Sequence, residues 1–212
     1  MSRTLEECLP PDQRRILADL DSPYRIQTFL DTLPYADEKF NRCPLRVLQD
    51  GRANCFDGAL FAAAALRRLG HPPVIVDLLA APGTDDDHTI AIYRRDGFFG
   101  AVAKSNCVGL RFREAVYRSL RELVMSYFEF YFNVEGEKTL REYTVPLNLK
   151  SFDYLDWTCS DDGLELIIHH LGELRRFPVI TPQMAAVLSP VDARTYEAGF
   201  LGANPAGLYR PA

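Results

Sequence analysis

The stretch Cys55–Leu69, CFDGALFAAAALRRL, constrains the fold more than any other part of the chain. Phe56, Ala59, Leu60, Ala63 and Leu66 repeat at the i, i+3, i+4 spacing of one helical face, while Ala62, Ala64 and Ala65 leave the other faces apolar too. A helix that is apolar nearly all round must be buried at the centre of its domain. Its ends are marked. Asn54 is a helix-capping residue, Arg67 and Arg68 suit the negative end of the dipole, and Gly70 followed by Pro72-Pro73 stops the helix.

Strands follow that helix. VIVDLLA (74–80) is apolar and β-branched, TDDD is a polar loop, and HTIAIYRR (88–95) and FFGAVAKS (98–105) flank Asp96-Gly97, a strong hairpin signal. Upstream, helices are expected over about 11–20, after Pro10-Pro11, and from Pro23 to about Thr32, capped by Asp21 or Ser22. Downstream, a long helix is expected over 112–132, then short strands at YTVPLNL and FDYLDW, then helices over 162–176, 182–188 and 191–199, and an irregular tail. Helices, a central helix, antiparallel strands and more helices give an α+β class, the buried helix lying on an antiparallel sheet. The 212 residues read as a single domain, with a core over about 45–106 and extensions on both sides.

Net charge is −5, which argues against nucleic acid as a partner. No stretch is apolar and long enough to span a membrane, and the N-terminus does not read as a signal peptide. Cys8, Cys43, Cys55, Cys107 and Cys159 are odd in number and show no paired spacing, so a cytoplasmic protein with reduced thiols is expected. No metal-ligand spacing exists, and His169 and His170 are adjacent, pointing about 100° apart on a helix. P-loop, GxGxxG, HExxH and GxSxG motifs are missing, so no metal and no organic cofactor is expected.

Three positions could carry chemistry. Cys55 starts a helix, where free N–H groups and the dipole favour a thiolate, although most free cysteines only pack. His88 opens a hairpin strand and could take the thiol proton; taken alone it reads better as a surface histidine tuned by Asp85–Asp87. Asn106, beyond the far end of the hairpin, offers an amide oxygen to orient the imidazole. A two-residue turn puts Ser105 opposite His88 and a one-residue change puts Asn106 there, so Ser105 is the alternative. The aromatic run YFEFYF (127–132) reads as core, and Arg111, Arg113, Arg118 and Arg121 as surface ion pairs.

GRANCFDGALFAAAALRRLGHPP, then HTIAIY, then GFFGAVAKSN resembles the core of the transglutaminase-like superfamily. Gly51, Cys55, Gly70, Pro72, His88 and Asn106 occupy that family's places. The family's tryptophan is replaced by Phe98 and Phe99, and its acid by asparagine or serine. The resemblance implies a papain-like Cys-His-Asn site: Cys55 as nucleophile, His88 as base then acid, Asn106 as orienting residue, acting through a thioester. Papain-type enzymes also place a glutamine six residues before the nucleophile, which makes Gln49 a candidate oxyanion donor. The expected substrate is a small molecule or peptide with an amide or ester bond, to be hydrolysed or transferred. A catalytically silent interaction module on the same fold is the alternative.

Overall fold

The computed structural model describes residues 3–11 and 13–211. Asp12, inside the expected first helix, and Ala212, at the end of the tail, lie outside them. Three helices come first: α1 (Leu5–Cys8), α2 (Arg14–Ala18) and α3 (Pro23–Thr32). Ser22 caps α3 by accepting from Arg25 N–H, and Pro23 takes its first position. α4 (Pro44–Asp50) is a helix of seven residues, and Gly51 closes it at φ 63°. α5 (Cys55–Arg68) is the central helix.

The sheet has seven strands: β1 (Val74–Ala80), β2 (His88–Arg95), β3 (Phe98–Val102), β4 (Arg113–Tyr117), β5 (Leu140–Thr144), β6 (Leu147–Asn148) and β7 (Arg176–Pro178). Its order is β4-β3-β2-β1-β5-β7, with β6 also paired to β1, and every pairing is antiparallel. The fold is therefore α+β, with α5 on one face of an antiparallel sheet. Ile75, Ala91, Tyr93 and Val102 face α5. Val76, Leu78, Ile90, Ile92 and Ala101 face the other way, against Leu123, Val124, Tyr127 and Tyr131. That second layer is built around α6 (Leu120–Met125). The helices α7 (Leu164–Gly172), α8 (Pro182–Ala185) and α9 (Ala193–Gly199) complete the chain.

Three expectations are corrected. Residues 112–132 are not one helix. Arg113 and Tyr117 pair with the open edge of β3 as β4, and the hydroxyl of Ser119 then caps α6. Arg118 N–H donates to the Glu122 carboxylate at 2.7 Å and adds to that cap. FDYLDW is not a strand: its first four residues end a 3-10 turn over Leu149–Leu155, and Asp156 closes it. The thiols are not all free: Cys8 and Cys159, 151 residues apart, form a disulfide that ties α1 to the chain after that turn. Such a pairing leaves no spacing for the sequence to display. No helix among the described residues is long and apolar enough to cross a membrane.

Candidate active site

Cys55 owes its position to α5 and to what holds its first turn. Asn54 and Asp57 form a reciprocal cap, each side chain accepting from the other's backbone N–H. The Asp57 carboxylate is fully buried and also accepts from Arg42 N–H at 2.7 Å. Arg42, itself buried, spreads its guanidinium over Glu38, Asp50 and Asp57. A buried charge needs such pairing, and here it fastens the approach loop to the base of the cysteine's turn.

The sulfur itself meets backbone. Cys55 Sγ donates to the Asp87 carbonyl at 3.8 Å. Two further groups face it, the Thr89 N–H and the Tyr35 hydroxyl, and both favour the thiolate. Tyr35 is brought there by a bridge to Ala53, with Ala36 N–H donating to the Ala53 carbonyl at 3.0 Å. Cys55 is half-exposed by area, yet dense protein around it pushes the thiol up to about 11, and the nearby carboxylates Asp77 and Asp86 add to the rise. The helix start therefore does not produce the low-pKa thiol that its position suggests.

His88 is 4% exposed. Strand alternation places it on the face of Ile90 and Ile92, away from α5, where its ring meets Tyr131 edge-on. Nε2 lies 2.8 Å from the Leu110 carbonyl oxygen. A carbonyl can only accept, so in the neutral ring Nε2 carries the proton and Nδ1 the free lone pair. Nδ1 has no hydrogen-bond partner among the described residues. Burial pulls the imidazole down to about 4, and the Arg113 charge works in the same direction. The reading of a surface histidine tuned by the aspartates does not fit this burial.

Cys55, His88, Ser105 and Asn106 all line one small cavity of about 50 Å³, together with Tyr35, Leu110 and Tyr131. The other predicted positions behave differently. The Asp96-Gly97 turn gives the expected register, Arg95 against Phe98, but the ladder ends at Ala91 and Val102. The chain then leaves β2, and the Ala103 backbone bonds to the Gln27 side chain instead. Neither Ser105 nor Asn106 therefore pairs with His88. The Ser105 hydroxyl accepts from Cys107 N–H, and the Asn106 amide bonds to the Asn204 backbone. The imidazole is oriented by the Leu110 carbonyl, a backbone group with no signature in sequence. Gln49 is exposed on α4 and does not line the cavity. Tyr35 stands beside the thiol, and nothing in the loop sequence marked it.

The arginines after Asn106 mostly serve backbone. Among the described residues, only Arg111 of these four forms an ion pair with a carboxylate, that of Asp31. Arg113 lies over the Tyr127 ring and Arg121 donates to the Pro178 and Val179 carbonyls. In the aromatic run, Phe128, Tyr131 and Phe132 are core, while Phe130 is exposed. No cluster of three or more metal-ligating side chains occurs among the described residues.

The sequence matches no known family model and no curated protein. Among solved structures, the fold is similar to LapG of Legionella pneumophila in EGTA-treated, calcium-bound and otherwise unqualified forms. Each match has a TM-score of 0.39 and 13% identity, covering 53% of this chain and 75–77% of the other. A likeness at that level assigns no residue a role.

Proposed function

We propose that the protein is a cysteine-dependent acyl hydrolase or acyl transferase, with Cys55 as nucleophile and His88 as its base. One observation carries the reading: a thiol at the start of a buried helix shares a cavity with an imidazole whose Nε2–H is fixed by a backbone carbonyl, leaving Nδ1 as an acceptor. This is the tautomer a general base needs.

In this reading the Cys55 proton passes to His88 Nδ1 as sulfur attacks a substrate carbonyl. The sulfur and the ring share no hydrogen bond, and the small cavity that both line has room for a water to relay the proton. The Cys55 N–H, in the first turn of α5, and the Tyr35 hydroxyl are the donors nearest the resulting oxyanion. Collapse expels the amine or alcohol, which takes the proton from Nδ1, and leaves a thioester on Cys55. Water, deprotonated by His88, or an acceptor nucleophile then releases the acyl group. Asn106 acts here on the chain and not on the imidazole.

A second reading, a silent interaction module, is favoured by the resting state: burial holds the thiol up to about 11 and the imidazole down to about 4, so neither is charged near neutral pH. Turnover of activated esters and short peptide amides separates the two. The enzyme reading expects hydrolysis that is lost in Cys55→Ser and falls about a hundredfold or more in His88→Ala. Turnover that survives Cys55→Ser overturns it. The Cys8–Cys159 disulfide also argues for an oxidising compartment over the cytoplasm.

A further inference from the structure

The segment after α9 belongs to neither the sheet nor the core layers, yet it runs directly over Cys55. Upstream it is fastened by an aromatic cluster: Phe132, Tyr196 and Phe200 have ring centroids 5.0–6.0 Å apart, and the Tyr196 hydroxyl donates to the Val134 carbonyl at 2.7 Å. Gly207, Leu208 and Tyr209 then line the Cys55–His88 cavity on one side. On the other side they line a second space of about 340 Å³ walled by Tyr35, Asn54, Cys55 and Asp86. Cys55 is a wall of both, so the segment divides what would otherwise be one cleft across the thiol.

Its contacts are those by which a protein holds a polypeptide. The Asn106 carboxamide reads both backbone groups of a single residue, donating to the Asn204 carbonyl at 2.9 Å and accepting from its N–H at 2.8 Å. That recognition is independent of side chain. The Asn204 side chain donates to the Tyr35 carbonyl at 3.2 Å and accepts from Ala206 N–H, which shapes the turn. Selectivity enters at Gly207. A Cβ there would lie 2.8 Å from Tyr35 Cδ1 and 3.1 Å from Cε1, on the rigid face of a ring, and 3.4 Å from Asn106 Nδ2.

We propose that residues Asn204–Tyr209 occupy the place of a substrate chain, and that the cleft at Cys55 takes a polypeptide whose glycine lies against the Tyr35 ring. The substrate class rests on reading Cys55 as the nucleophile; the occupancy does not. Asn106 is then a residue that binds backbone, which explains why the amide at this position bonds to Asn204 rather than to the imidazole.

Alkylation of Cys55 by iodoacetamide, followed site by site by mass spectrometry on the full chain, tests this without requiring catalysis. Gly207→Val displaces the segment and should raise the rate about tenfold, the size of effect overpacking against a ring produces. Asn106→Ala removes the backbone clamp and should also raise it. A peptide Ala-Asn-Pro-Ala-Gly-Leu-Tyr added to the Gly207→Val protein should restore protection, and the same peptide with valine for glycine should not. Unchanged rates in both variants, with native circular dichroism, overturn the occupancy. Equal protection by the two peptides, or none by either, overturns the substrate class. If the variants and peptides behave as expected while no acyl group is ever found on Cys55, catalysis fails and the polypeptide cleft stands.

Discussion

His88 Nε2 lies 2.8 Å from the carbonyl oxygen of Leu110, and this bond decides which ring nitrogen can act as a base. It also leaves a buried imidazole whose pKa falls to about 4, chiefly through burial. Because the folded value is depressed, the unfolded chain binds the proton more readily. Stability from the neutral ring is present above about pH 6.5 and is lost as pH falls toward 4. His88→Gln keeps a donor for Leu110 and does not titrate. In urea titrations, the stability of the wild type relative to His88→Gln should drop by on the order of 2–3 kcal/mol between pH 7 and pH 4. Parallel pH profiles would show that the ring is not buried neutral.

Tyr35 favours the Cys55 thiolate through its hydroxyl. Tyr35→Phe keeps the ring against Gly207 and removes that donor. The pH midpoint of Cys55 alkylation should move up, and the rate at fixed pH should fall about threefold, the effect of losing one weak donor to the charged form. A midpoint that moves down would mean the hydroxyl opposes ionisation.

Arg42 and Asp57 form a buried pair beneath the nucleophile's turn, their side chains 2% and 0% exposed. Removing the cation strands the carboxylate, so Arg42→Leu should cost about 3–5 kcal/mol. Adding Asp57→Asn to it should recover much of the loss, giving a non-additive cycle. Additive losses in denaturant titrations would mean the two residues act separately.

The α5 unit was legible in the sequence because each of its signals is local. Asn54 caps it, the alanine run buries it, and Gly70 ends it at φ 86°. The β2–β3 hairpin was legible for the same reason: Asp96 and Gly97 both adopt positive φ, as that two-residue turn requires. What failed depended on distant partners. Glu114, Arg118 and Glu122 carry acid–base spacing suited to a helix, but the unpaired edge of β3 recruits residues 113–117 as a strand. Asn106 was placed by extending a ladder that ends three residues earlier on β3 than the expected strand does. Its true partner, Asn204, lies 98 residues away. The group that orients His88 is a main-chain oxygen, which residue identity cannot reveal.

The Cys8–Cys159 disulfide closes a loop over most of the chain. Cys8→Ser should therefore lower unfolding free energy by about 2–5 kcal/mol, read from urea midpoints without reductant. Alkylation of denatured, unreduced protein should label Cys43, Cys55 and Cys107 only. Labelling at Cys8 or Cys159 would show that the bond does not form in solution.

The most direct test of Cys55 and His88 as nucleophile and base is to trap the acyl group. The protein is mixed with p-nitrophenyl acetate, quenched in acid and mapped by mass spectrometry. The account predicts acetyl-Cys55, with Cys43 and Cys107 unmodified, formed about a hundredfold or more slowly in His88→Ala. Acetylation at Cys107 in preference to Cys55, or equal rates with and without His88, would contradict it.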